Sequence, residues 1–251
     1  DTSTLNASSS NYTINIGENW TNNATFISGT GTVIFDKASG TQTLNQGSSS
    51  FYHISHSGAG TLTLLTNALT LNGNLTNSSG TLDTANLNMT MNGSNWNSTN
   101  GKFLAGTGTV LFSTNGNVTI TSGGSAPDYD FNHVEVNLAA STNQFNVVVN
   151  PMDILGNLTL TRGIFSPTTN VNLTGNLVVS GSNMNPEPAG DTGDLVFSGS
   201  GLQTVTNSGG ETDSISEVTV TNTDASGVRL DNNITFSKLV VNTNAVFNAN
   251  D

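Results

Sequence analysis

The sequence predicts an all-β solenoid, a right-handed parallel β-helix of about twelve coils, and three observations lead there. Short segments recur in the same order along the chain. Each alternates polar and apolar residues, the mark of a half-buried strand. No stretch carries an apolar stripe at helical spacing.

The recurrence begins with Thr32-Val33-Ile34-Phe35, which returns as Thr109-Val110-Leu111-Phe112 and as Asp194-Leu195-Val196-Phe197, shifted by 77 and 85 positions. Next come Gln42-Thr43-Leu44, Val118-Thr119-Ile120 and Gln203-Thr204-Val205. His53-Ile54-Ser55, His133-Val134-Glu135 and Glu217-Val218-Thr219 follow. Asn67 to Leu71 matches Asn150 to Ile154 and Asn232 to Phe236, and Gly73-Asn74-Leu75-Thr76 matches Gly156-Asn157-Leu158-Thr159. Leu82, Phe165 and Phe247 close the set. This order defines three modules of about 83 residues, at 17–92, 93–180 and 181–251, in one continuous solenoid over 17–251. Residues 1–16 are a leading segment or cap.

Gly, Asn and Ser interrupt the strands at Gly29-Thr30-Gly31, Asn77-Ser78-Ser79-Gly80, Ser122-Gly123-Gly124 and Ser208-Gly209-Gly210. These residues turn the chain at little steric cost. Four coils of about 20 residues would fill one module. Tandem β-sandwich domains are the alternative, since about 83 residues approach one immunoglobulin-like unit. The solenoid is favoured because aromatics are only 6%, Trp20 and Trp96 are the only tryptophans, and the modules abut without linkers. Two roles are open for Asn67, Asn74, Asn150, Asn157 and Asn232. They can form side-chain ladders between coils, or they can act as left-handed turn residues.

The Gly-Asn-Leu-Thr segments and Gly29-Thr30-Gly31-Thr32-Val33, repeated at Gly106-Thr107-Gly108-Thr109-Val110, resemble the repeats of large bacterial surface proteins. These are filamentous-haemagglutinin-like adhesins and autotransporter passenger domains. The resemblance covers residues 17–251 in repeat style and composition. It implies a β-helical stalk or fibre at the cell surface. A secretion-cap motif near the start and a membrane barrel at the end are both missing.

Charge narrows the function. Only 9% of residues are charged and the net charge is −12. Residues 1–125 hold four acids and two bases; residues 126–251 hold thirteen acids and three bases. Phosphate backbones and anionic lipids need Lys and Arg, so neither nucleic acid nor a membrane surface is an expected partner. No apolar run is long enough to span a bilayer. The absence of Cys suits an exposed protein, and a chain starting at Asp1 is expected to be processed or cut from a longer one.

A search for chemistry assigns no catalytic, cofactor-binding or metal-binding residue. Asp128 and Asp130 around Tyr129, with Asp153 and His133, are the best carboxylate cluster for glycoside hydrolysis. Lys102 and Arg162 flank it only at a distance in sequence. His53, His56 and His133 lack the partners of a zinc site. The His53 position becomes Glu217 in the third module, which reads as solvent-facing. Asp191 and Asp194, or Asp128 and Asp130, could offer oxygen to calcium. Thr-x-Thr pairs such as Thr30/Thr32, Thr41/Thr43, Thr61/Thr63 and Thr107/Thr109 raise ice binding, but do not recur once per coil. Thirteen Asn-x-Ser/Thr sequons are near the number chance provides in so Asn- and Thr-rich a chain. Trp20, Trp96, Tyr52 and Tyr129 are the aromatics that could face a sugar.

The expectation is an extracellular structural or adhesive rod and not an enzyme. End-to-end self-association is expected through a terminal coil at Val246-Phe247-Asn248, with glycans, cell-surface or matrix molecules as further partners. A carbohydrate-binding or polysaccharide-degrading β-helix is the alternative.

Overall fold

A computed structural model describes residues 3–7, 9–125, 128–180, 192–209 and 214–249. All strand pairs in it are parallel, and the chain winds as a β-solenoid of about 11 turns. Tandem sandwiches are thereby excluded.

Each turn contributes short strands to three faces. The first face stacks Thr4–Asn6 on Thr25–Ile27, then a rung at Phe51, which bridges Leu71 of Leu69–Leu71. It continues through Met89–Met91, Thr109–Phe112, His133–Asn137, Leu158–Arg162, Leu177–Val179, Gln203–Asn207 and Val228–Leu230 to Phe247–Asn248. The second face stacks Ile14–Ile16, Thr32–Phe35, His53–His56, Leu75–Asn77, Asn95–Asn97, Val118–Thr121, Gln144–Val147 and Ile164–Phe165. The third runs from Trp20–Thr21 through Thr41–Asn45, Thr61–Leu64 and Thr81–Asp83 to Lys102–Leu104. A rung at Phe131, which bridges Ile154, leads into Met152–Ile154, Val171–Leu173, Leu195–Phe197, Ser214–Val220 and Thr235–Val241. Residues 4–6 and 14–16 pair as the outermost rungs of the first two faces, with Thr4–Asn6 exposed at every position.

The sequence repeat does not coincide with whole turns. Thr32–Phe35 lies on the second face, its match Thr109–Phe112 on the first, and Leu195–Phe197 on the third. The Gln42, Val118 and Gln203 segments fall on the third, second and first faces. Leu82, Phe165 and Phe247 follow the same order. Most matched segments step back one face per module; the third copy at Asn232 to Phe236 is the exception, since Thr235–Val241 shares the third face with Met152–Ile154. Eleven rungs separate Thr32–Phe35 from Thr109–Phe112, counting the rung at Phe51. A module is therefore three and two-thirds turns, not four, and three modules complete eleven.

Alternation supplies the interior. Along Thr32–Phe35 and Thr61–Leu64 the second and fourth residues are buried and the others half-exposed. Because side chains alternate across a strand, in-register stacking sends one apolar column per face inwards. Leu62 and Leu82, or Ile54 and Leu75, meet this way. Fully burying each such side chain stabilises by about 1.5–3 kcal/mol.

The two tryptophans belong to this interior and do not face solvent: Trp20 is 7% exposed and Trp96 0%. Trp20 meets Phe26 and Phe51 at ring-centroid distances of 4.9 and 5.2 Å. Trp96 meets Phe103 and Phe131 at 4.8 and 5.1 Å. The same aromatic triad is thus built twice, one face apart. Phe51 and Phe131 are the rungs where a face loses regular strand pairing, and the triads fill the core there.

Asn67, Asn74, Asn150, Asn157 and Asn232 do not take the left-handed turn conformation. Asn11, Asn86 and Asn244 have positive φ and turn the chain. Elsewhere the amides tie coil to coil. Asn157 Oδ1 accepts the Asn176 N–H at 3.0 Å, and Asn176 Oδ1 accepts the Thr204 N–H at 2.8 Å. Asn67 Nδ2 donates to Asn45 Oδ1 at 3.0 Å, and Asn150 Nδ2 to the Ser122 carbonyl at 2.9 Å.

Candidate functional site

The cluster expected around Tyr129 lies at the irregular third-face rung. There Asp128 takes a positive φ of 81° and its carbonyl accepts the Phe103 N–H at 2.8 Å. The broken rung leaves a cleft of about 560 Å³ at the edge between the third and first faces. Asp83, Asp128 and Asp130 line it, with Leu104 and Leu155 as apolar walls. Lys102, remote in sequence, is stacked beside the cluster, and its Nζ donates to Asp128 Oδ2 at 2.8 Å. That bond and the charge of Asp128 hold the lysine above its ordinary pKa. Arg162 is paired with Asn137 on the first face. Burial raises the Asp130 pKa, helped by the charges of Asp153 and Asp128. Asp153 Oδ1 accepts from Asn172 Nδ2 at 2.6 Å. His133 is directed elsewhere: its Nδ1 accepts the Asn157 N–H at 2.9 Å. Tyr129 packs over Gly123, where a β-carbon would overlap its ring.

Calcium chemistry finds Asp194 already engaged, its Oδ2 accepting the Thr219 hydroxyl at 2.6 Å. Asp191 lies outside the described residues. Among the described residues no group of three or more acids and histidines is placed to hold a metal.

His53 and His133 take outward, half-buried positions of their strands, whereas His56 points into the core. His53 Nδ1 accepts the Asn74 N–H at 2.8 Å, the counterpart of the His133 bond. The equivalent Glu217 pairs with Lys238 at 3.1 Å. His56 is buried, and its Nδ1–H donates to Asn77 Oδ1 at 2.9 Å, an acceptor that fixes the tautomer. Burial lowers the pKa of both His53 and His56.

The threonine pairs form columns only briefly. On the third face Thr41, Thr61 and Thr81 stack in register, then Lys102 follows. Beside them Thr43 and Thr63 are followed by Asp83 and Leu104. The face step between modules sends equivalent threonines to different sides, so no long flat array builds up.

A second groove runs along the edge between the first and second faces. Its floor is the stacked backbone of Gly73 and Gly93. A β-carbon on Gly93 would overlap the Gly73 carbonyl, and one on Gly73 would come 2.7 Å from the Tyr52 ring. Tyr52 closes one end and Asn115 to Asn117 the other, around a volume of about 380 Å³. Its Asn72 and Asn92 side chains form a ladder: Asn92 Nδ2 donates to Asn72 Oδ1 at 2.9 Å, Asn72 Nδ2 to Ser50 Oγ at 2.8 Å, and Ser113 Oγ to Asn92 Oδ1 at 2.6 Å. Sequence reasoning singled out Tyr52 but not this groove. The signal available was the pair Asn72-Gly73 and Asn92-Gly93, one coil apart.

No family model matches the chain, and neither a curated protein nor a solved structure matches it.

Proposed function

We propose that this chain serves as an extracellular structural and adhesive rod, in the manner of the surface adhesins its repeats resemble. The observation that carries the reading is the parallel ladder that continues across both module boundaries, by in-register pairs such as Leu75–Asn77 with Asn95–Asn97 and Leu177–Val179 with Gln203–Asn207. A solenoid of this kind resists bending because each coil is bonded along its length to the next. At 4.7–4.9 Å per coil, about eleven turns span roughly 50–55 Å.

Self-association is part of the proposal. The outer edge of Thr235–Val241 has no partner strand among the described residues, and Leu239, Val240 and Val241 there are 38%, 36% and 44% exposed. Such an edge accepts another parallel rung. Phe247 on the first face repeats the module position of Leu82 and Phe165. Further rungs, from the same polypeptide or a second copy, would continue the face order without a step.

Negative-stain electron microscopy over a concentration series tests this. Rods that lengthen end to end as concentration rises agree with the proposal. Monodisperse single rods at millimolar concentration overturn the self-association. Globules of three lobes overturn the rod. The carbohydrate-binding alternative is favoured by one observation, the groove at Tyr52.

A further inference from the structure

We infer that the groove along the edge of the first and second faces, from Tyr52 to Asn117, is a binding site for an extended, uncharged oligosaccharide of the β-1,4-linked type. The inference deepens the adhesive reading and rests on it for its biological sense, but its test is independent of rod assembly.

Charge decides the ligand class first. None of the lining residues carries a formal charge at neutral pH, in a molecule whose net charge is −12. His53 is the one titratable imidazole in the groove. Its Nδ1 is held unprotonated by the Asn74 N–H. A charged ligand would surrender its hydration without a counter-charge. A neutral polyhydroxyl ligand meets amides and hydroxyls that both donate and accept.

The ladder pre-positions those amides. An amide nitrogen carries two donors and its oxygen two lone pairs. The bonds from Ser50 to Ser113 use one donor of each nitrogen and one lone pair of each oxygen at Asn72 and Asn92. The other half of each amide remains, with its rotamer already fixed by its neighbours. Less conformational freedom is then lost on binding.

Spacing matches as well. Successive rungs repeat every 4.7–4.9 Å or so, close to the length of one pyranose unit in an extended β-1,4 chain. Sugars laid along the rod axis would place one residue at Asn72 and the next, turned over as in any extended β-1,4 chain, at Asn92, where each amide offers both a donor and an acceptor. Tyr52 supplies an aromatic ring at one end, set edge-on to His53 with ring centroids 4.6 Å apart. Gly73 and Gly93 keep the floor free of side chains, and their backbones leave no room for a β-carbon.

The test is a titration of the ¹⁵N-labelled chain with cellotetraose and β-1,4-mannotetraose, with tetragalacturonate as the anionic comparator. Millimolar affinity or tighter is expected for at least one neutral probe. Shift changes should be confined to residues 52–53, 72–74, 92–94 and 114–117. Tyr52→Ala and Asn92→Ala should each weaken it about tenfold or more, with unchanged spectra elsewhere. Thr204→Ala, on a different stretch of the first face, should leave it unaltered. Absence of binding by both neutral probes overturns the inference, as does tighter binding of tetragalacturonate or indifference to Tyr52→Ala. Those results would leave the rod untouched, whereas a collapsed rod would show in the spectrum before any sugar is added.

Discussion

His53 and His133 face different sides of the solenoid and make the same bond. Each Nδ1 accepts the backbone N–H of the asparagine in the next Gly-Asn-Leu-Thr segment, Asn74 at 2.8 Å and Asn157 at 2.9 Å. They sit at one position of an eleven-rung repeat wound on a three-rung turn. Local contacts are inherited by sequence, while the face that displays them changes.

The imidazoles make stability depend on pH. Burial lowers the His53 and His56 pKa values in the folded chain. The unfolded chain therefore binds protons more readily, and stability rises with pH across the window below the ordinary value of 6.5. The contribution is fully present above that value and is lost as pH falls towards the lowered folded values. Thermal melts from pH 7.5 to 4.5 should show a falling Tm, with a shallower slope in His56→Gln. An unchanged slope in that variant would refute the assignment to His56.

The aromatic triads differ in one atom. Trp96 Nε1 donates to Ser98 Oγ at 3.0 Å, whereas the buried Trp20 Nε1 has no partner among the described residues. Trp96→Ala should cost about 3–5 kcal/mol. Trp20→Phe should cost less than Trp96→Phe by about 1 kcal/mol, since only the latter breaks a buried hydrogen bond. Urea unfolding of the two Phe variants measures the difference, and the reverse order would contradict it.

Glycine is required at some corners and idle at others. Gly93→Ala would drive a methyl group into the Gly73 carbonyl, and should destabilise by more than about 2 kcal/mol. A β-carbon on Gly116 meets nothing within 4 Å. Gly116→Ala should be neutral or stabilising by about 0.4–1 kcal/mol. Equal melting temperatures for the two variants would mean the coils are not stacked as described.

Asp130 carries the opposite pH sign to the histidines. Its raised pKa means ionisation is resisted in the folded chain, by burial and by Asp153 and Asp128. This opposes folding once pH rises above the ordinary carboxyl range. Asp130→Asn should raise Tm at pH 7 and leave it nearly unchanged at pH 3. A lower Tm at pH 7 would show that Asp130 has a favourable partner.

Much of this architecture is legible in the sequence. Alternation in Thr61-Leu62-Thr63-Leu64 gives the strand and its buried face, and the six matched segments give the continuous stack. What sequence left hidden follows from the winding. A repeat of 77 or 85 residues carries no record of how many residues complete a turn, so three and two-thirds turns reads as easily as four. Lys102 and Asp128 are 26 positions apart, and only the coil length brings them together. Trp20 and Trp96 are ambiguous alone, because a lone tryptophan suits a sugar platform or a wide core. The Phe26 and Phe103 rings that enclose them stand six and seven positions on, across a corner of the coil.

The central claim, one ladder running through all three modules, is tested most directly by disulfide trapping in this cysteine-free chain. Cysteine pairs would replace Thr76 with Asn97, and Val178 with Thr206, which are in-register neighbours across the two module boundaries. Thr43 with Thr63 serves as a pair within one module. Strands stacked 4.7–4.9 Å or so apart fall within disulfide reach. The account predicts that all three pairs cross-link on mild oxidation. The module-equivalent pair Thr32 with Thr109, on different faces, should stay reduced. Cross-linking of the Thr43/Thr63 pair without either boundary pair would contradict it.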